Sequence, residues 1–176
     1  MSEKAKPEIV PSITVHRLLD AYPDLEDVLI EMAPPFRKLR NPLLRRSVAK
    51  VATLRQAAAV GSLPLNHLVN ILREAVGQAP SQEDYEDTNY FTDRPEWFDR
   101  QKIALRVDEQ RDSKDNEMTL GPILRGAKDL NKGEIIELRT TFIPAPGIEV
   151  MKSKGYESWS VKGDDGLIFT YFLKGR

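Results

Sequence analysis

The chain has no cysteine. That absence excludes disulfides, thiolate nucleophiles, Cys-ligated zinc and Cys-ligated iron–sulfur clusters. Histidine is almost as scarce, with His16 and His67 alone in 176 residues. Neither falls at a metal-ligand spacing or in a Ser-His-Asp set, and both read as helix-surface residues, so no metal, no cofactor and no catalytic residue are expected. A glycine-rich phosphate loop is lacking, as is any apolar run near the roughly 20 residues that cross a bilayer. The polar N-terminal stretch has no apolar signal core, which points to the cytoplasm and to no membrane contact.

Charge of one sign is missing locally rather than globally. Between Pro34 and Val60 stand Arg37, Lys38, Arg40, Arg45, Arg46, Lys50 and Arg55, with no Asp or Glu. Between Ser81 and Arg100 the sign reverses, with Glu83, Asp84, Glu86, Asp87, Asp93, Glu96 and Asp99 against Arg94 and Arg100. A net charge of −1 conceals both runs.

What is present is apolar residues at two different periods. Val15, Leu18, Leu19 and Tyr22 follow Thr14 at helical spacing and stop at Pro23. Asp24 is placed to cap a second helix carrying Leu25, Val28, Leu29 and Met32, which Pro34 and Pro35 end. Asn41 and Pro42 read as N-cap and first position of a third helix, with Leu43, Leu44, Val48 and Val51 as its buried stripe and the cations on its other face. Thr53 and Gln56 form a capping box for a helix ending at Gly61. A last helix from Pro64 buries Leu65, Leu68, Val69, Leu72 and Val76 and stops at Gly77. Residues 1–78 are therefore expected to be a helical domain.

Periodicity vanishes over residues 79–101, where acids mix with Tyr85, Tyr90, Phe91, Trp97 and Phe98. So many aromatics predict a linker packed on a domain, with Trp97 and Phe98 buried and some of Glu83, Asp84, Glu86 and Asp87 near Arg45, Arg46 or Lys50. From residue 102 to 176 the pattern becomes β-α-β-α-β-β. Ile103, Leu105 and Val107 alternate; Thr119 caps a helix with Leu120, Ile123, Leu124, Ala127 and Leu130; Glu134 to Phe142 is a strand. A short helix with Ile148, Val150 and Met151 ends at Gly155, and strands at Tyr156 to Val161 and Leu167 to Leu173 flank a glycine-rich turn. The expected class is α+β, a helical bundle followed by a two-layer sandwich of two helices on a four-stranded mixed sheet.

The order of elements in residues 102–176, with Thr119, Leu120, Ile123, Leu124, Gly133, Glu134, Pro144, Pro146 and Lys154 to Tyr156, resembles the TusA/SirA-like sulfur-carrier superfamily, in its branch of unknown function. Sulfur carriers hold a Cys-Pro-x-Pro motif at the start of the first helix; here Asn116 stands at the cysteine position and Thr119 at the second proline, so the resemblance implies the fold without the persulfide. Residues Thr14 to Pro23 and Asp27 to Glu31 resemble a small helical domain of unknown function often fused to iron–sulfur, hybrid-cluster or iron-centre repair proteins. Relatives carry cysteines after the second helix, where this chain has Pro34 to Pro42. The two resemblances together imply a role linked to sulfur, redox or respiratory metabolism.

Two groups of residues are candidates for binding. Arg37, Lys38, Arg40, Arg45, Arg46 and Lys50 can neutralise phosphates, the competing expectation being a solvated face paired with the acidic linker. Thr119 and Gly121 at a helix N-terminus, with Arg139, Thr140 and Thr141 at a strand end, can offer donors to a small anion, against an ordinary capped helix beside a strand. The leading expectation is a non-enzymatic binding or regulatory module that recognises a protein partner. Nucleic-acid binding through Arg37 to Arg55 is the alternative, and small-anion binding at the Thr119 helix is a second. Oligomeric state is not legible.

Overall fold

The computed structural model describes residues 5–112 and 120–175. It divides into two compact units, Met1–Thr88 and Asn89–Arg176, each with its own core. The division falls inside the segment read as a linker.

Unit 1 is helical: α1 (Val15–Ala21), α2 (Leu25–Met32), a 3₁₀ segment (Pro34–Arg40), α3 (Pro42–Val51), α4 (Leu54–Val60) and α5 (Leu65–Ala75). The caps explain most boundaries. The Thr14 hydroxyl accepts from the Arg17 N–H, Asn41 accepts from Leu43 N–H ahead of Pro42, and Thr53 and Gln56 cap each other's backbone reciprocally. Asp24 departs from expectation: it stands at the N-cap of α2 in helical conformation and its side chain accepts no capping bond. Ile9, Leu18, Leu19, Leu25, Leu29, Leu54, Leu65, Leu68, Val69 and Leu72 fill the core.

Helix α3 corrects the sequence reading. Leu43 and Val51 are 53% and 58% exposed, while the buried side is Ala49, continued by Ala52 just past the helix, with Leu44 and Val48 half-buried. The reason is close approach: α3 packs on α1, and the Val15 N–H donates to the Ala52 carbonyl at 2.8 Å. Alanines permit that distance where leucine would not, so the stripe rotates onto the small residues.

Arg73, buried on α5, donates to the Ile9 carbonyl at 2.9 Å, the Ala79 carbonyl at 3.0 Å and Glu8 at 2.7 Å. Gln78 accepts from the Ile9 N–H and donates to the Pro7 carbonyl and the Tyr22 hydroxyl. Together they clamp the segment entering α1 to the chain leaving α5. That chain then runs back along α5: Ser81 N–H donates to Asn70 and Tyr85 N–H to Asn66, both at 2.9 Å. Asp84 accepts from the Asn66 amide, and Asp87 accepts from Leu65 N–H at 2.8 Å, so it caps α5 where Pro64 cannot. The acids were expected near Arg45, Arg46 or Lys50; instead Asp84 and Asp87 find their partners on α5, and Arg55 of the basic run reaches the segment, donating to the Glu86 carbonyl at 2.7 Å. Side-chain amide oxygens at i and i+4 on one helix face accept from successive N–H groups of an extended chain, a ladder that cations, having no acceptor, do not offer.

Unit 2 is α+β. A short 3₁₀ turn (Arg100–Lys102) leads into β1 (Ile103–Asp108), α6 (Glu109–Asp112), α7 (Leu120–Ala127), β2 (Ile135–Thr140), α8 (Ala145–Ser153), β3 (Tyr156–Lys162) and β4 (Ile168–Lys174). The four strands form one mixed sheet in the order β1-β2-β4-β3, with β1 parallel to β2 and the other pairs antiparallel. Helix α6 has no counterpart in the sequence reading. It follows directly from β1, where the Asp112 carboxylate accepts from the Asp108 N–H.

A register shift between Ile103 and Leu105 sends them to opposite faces, although their spacing suggested one. Leu105 lies against α7, where a β-carbon at Gly126 would collide with it. Ile103 joins the other face, with Ile135, Tyr171 and Leu173. That second face is covered rather than solvated. Phe98 is 7% exposed, its ring centroid 4.5 Å from Tyr171 and 4.8 Å from Trp159. Arg94 lies over the Phe98 ring, the Trp159 indole N–H donates to the Thr92 carbonyl at 2.9 Å, and Phe91 bridges Ser160 at the sheet edge. Trp97 is half-buried beside Phe98. The strap of residues 91–98 is thus a third layer on this sheet.

Burial under the strap, reinforced by the nearby Glu137 carboxylate, pushes the Tyr171 hydroxyl up to about 12. Between pH 10 and 12 the folded form keeps a proton that the unfolded chain releases, so alkali lowers stability across that window. In a spectrophotometric titration one tyrosine should ionise near pH 12, and Phe98→Ala should bring it down toward 10.

Candidate binding site

Two arrangements use the residues singled out from sequence, one in each unit. In unit 2, Arg139 pairs with Asp108 at 3.1 Å and lies 3.9 Å from Asp165, while the Thr141 hydroxyl donates to the buried Glu109 at 3.4 Å. Thr140 donates to the Phe142 carbonyl at 2.7 Å. Asp112, held at about 2 by the Arg111 guanidinium and the Asp108 N–H, adds a further fixed negative charge. Arg139, Thr140 and Thr141, the donors expected at the strand end, are therefore engaged by the chain's own acceptors, and an anion approaching them would meet carboxylates. Gly121 lies in the first turn of α7; Thr119 and Asn116 fall outside the described residues.

In unit 1 the basic residues separate into neutralised and free ones. Arg45 pairs with Glu26 across to α2, and Arg55 is spent on the Glu86 carbonyl. Among the described residues, the side chains of Arg37, Arg40, Arg46 and Lys50 are exposed and make no ion pair or hydrogen bond; Lys38 is exposed as well. Leu43, Arg46, Ser47, Lys50 and Val51 are all exposed, and their i, i+3, i+4, i+7, i+8 spacing makes them one face of α3. That face is apolar and cationic together.

Next to it, Ile30 and Glu31 of α2 and Pro34, Arg37 and Arg40 of the 3₁₀ segment line an open depression of about 510 Å³. In a 3₁₀ helix residues three apart eclipse, so Pro34, Arg37 and Arg40 form a single row. Sequence reading found the arginines but missed Leu43 and Val51, because it assigned them to the core, and it did not single out Ile30 or Glu31. His16 pairs with Asp20 at 3.3 Å along α1, and His67 is exposed on α5.

Residues 9–69 match the family model of a domain of unknown function, DUF1858. The match runs from the segment entering α1 into α5 and includes both the depression and the exposed face of α3. No curated protein and no solved structure matches the chain. No helix among the described residues is long and apolar enough to cross a membrane.

Proposed function

We propose that this is a non-enzymatic recognition module whose unit 1 binds an acidic protein partner through α3 and the adjoining 3₁₀ segment. The observation that carries the reading is Leu43 and Val51 standing exposed among Arg46 and Lys50 on one helix face, beside the free Arg37 and Arg40. Protein interfaces combine an apolar centre with a polar rim, whereas binding to phosphate backbones needs cations and gains little from exposed leucine and valine. An acidic partner complements a stretch that has no Asp or Glu of its own. Unit 2, a four-stranded mixed sheet with helices whose sequence resembles the sulfur-carrier superfamily, serves in this reading as a persulfide-free second recognition domain in a cytoplasmic protein of sulfur, redox or respiratory metabolism.

Nucleic acid is the competing occupant, and titration with a generic DNA duplex and a single-stranded RNA separates the two. The expected result is no saturable binding at 150 mM salt up to about 100 µM protein, the weak end of non-specific affinities. Micromolar binding that weakens steeply with salt and is lost in Arg46→Gln/Lys50→Gln would replace the protein partner with a nucleic acid.

A further inference from the structure

We propose that the depression lined by Ile30, Glu31, Pro34, Arg37 and Arg40 is a socket for a carboxylate side chain followed by an apolar one in the partner's acidic segment. The proposal rests on the reading of unit 1 as a protein-recognition domain and names what that domain reads. Arg37 and Arg40 project from one row of the 3₁₀ segment, so their guanidinium groups can close on a single oxyanion as two forks. Among the described residues neither has an acidic partner, although Glu31 lines the same depression. Two arginines without an acidic partner beside an apolar floor leave their N–H donors available to a ligand.

The lining decides which anion fits. Ile30 and Pro34 provide an apolar floor, which favours an oxyanion carried next to a hydrocarbon group. Glu31 adds a negative charge to the wall, so the depression has a net charge of one positive unit from Arg37, Arg40 and Glu31. A monoanionic carboxylate matches that balance. A phosphate dianion would face Glu31 with its second charge. The volume of about 510 Å³ suits one or two side chains, and Arg40 leads within three residues to Leu43, so a peptide seated in the socket continues directly onto the exposed face of α3.

The test uses the full isotope-labelled chain and follows by NMR the Arg37 and Arg40 Nε–H signals together with the backbone amides of Ile30 and Glu31, which line the same depression and survive in every variant, during titration with acetyl-Glu-Leu-amide, acetyl-Gln-Leu-amide and inorganic phosphate. The carboxylate dipeptide should shift the Arg37 and Arg40 signals saturably with a Kd of about 1–10 mM, as befits two residues of a longer ligand. The glutamine dipeptide and phosphate should each bind at least tenfold more weakly. In Arg37→Gln/Arg40→Gln the dipeptide should no longer shift the Ile30 and Glu31 backbone amides, with no fall in melting temperature because both substituted side chains are exposed, and Arg37→Lys/Arg40→Lys, which keeps charge but loses the fork, should weaken binding at least fivefold by the same amides. Absence of saturable shifts, equal binding of the glutamine dipeptide, tighter binding of phosphate, or unchanged shifts in the glutamine double variant would each overturn the socket. Leu43→Ser/Val51→Ser should leave the dipeptide titration unchanged. Failure of the socket therefore shows in the dipeptide, and failure of the protein-partner reading shows in partner capture by the α3 variant.

Discussion

Replacing Phe98 with alanine should destabilise unit 2 by about 3–5 kcal/mol, the usual cost of removing a buried aromatic. Phe98 is the fully seated residue of the strap and touches Trp159 and Tyr171 edge-on above Ile135 and Leu173. Without it the strap keeps the Thr92 carbonyl contact and the Phe91 bridge, both at the sheet edge, and the apolar centre of this face opens to water. For a unit of this size the loss corresponds to a fall in melting temperature of roughly 15–30 °C. Both tryptophans of the chain, Trp97 and Trp159, belong to this unit, so tryptophan fluorescence reports its unfolding alone. Trp97→Ala should cost less, since that ring is only half-buried. A fragment of residues 102–176 should show the same weakness as Phe98→Ala, while residues 89–176 should not. Unchanged fluorescence melting in Phe98→Ala would mean that the strap is not part of the fold.

The second large effect lies in unit 1. Arg73→Leu should cost about 3 kcal/mol, because the charged donor to the Ile9 and Ala79 carbonyls disappears and leaves the buried Ile9 acceptor without a partner. Glu8→Ala should cost under about 1 kcal/mol, since Glu8 is mostly exposed and its pairing with Arg73 is screened. Arg73→Lys should not restore stability, as one ammonium cannot serve carbonyls on two separate chain segments. Circular dichroism at the helix band should record the loss while the tryptophan transition stays in place. A loss for Glu8→Ala as large as for Arg73→Leu would assign the stabilisation to the ion pair instead of the carbonyl clamp.

The sequence made some of these features legible and hid others for identifiable reasons. Capping residues act locally, so Thr14, Asn41 and the Thr53–Gln56 box could be read from neighbours alone. Period-2 and period-3.6 patterns marked the change from helices to the sheet for the same reason. The rotation of α3 was hidden because it depends on how closely α1 approaches, a property of two alanines that carry little hydrophobic signal. The bulge in β1 reverses the faces of Ile103 and Leu105, and only the pairing with β2 reveals it. The acidic segment was read through its charges, whereas its backbone is held by Asn66 and Asn70, ordinary polar residues until an extended chain is laid beside them. Of the candidate site, the free cations were visible in sequence, but the exposed Leu43 and Val51 that turn a basic helix into a recognition face were not.

That recognition face is tested most directly by affinity capture from the native cell with the full chain, comparing wild type with Leu43→Ser/Val51→Ser after nuclease treatment. The account predicts that wild type retains one or more acidic proteins which nuclease does not release, and that the double variant loses them while keeping its fold by circular dichroism. Recovery of the same proteins by the double variant, or material that nuclease releases, would contradict it.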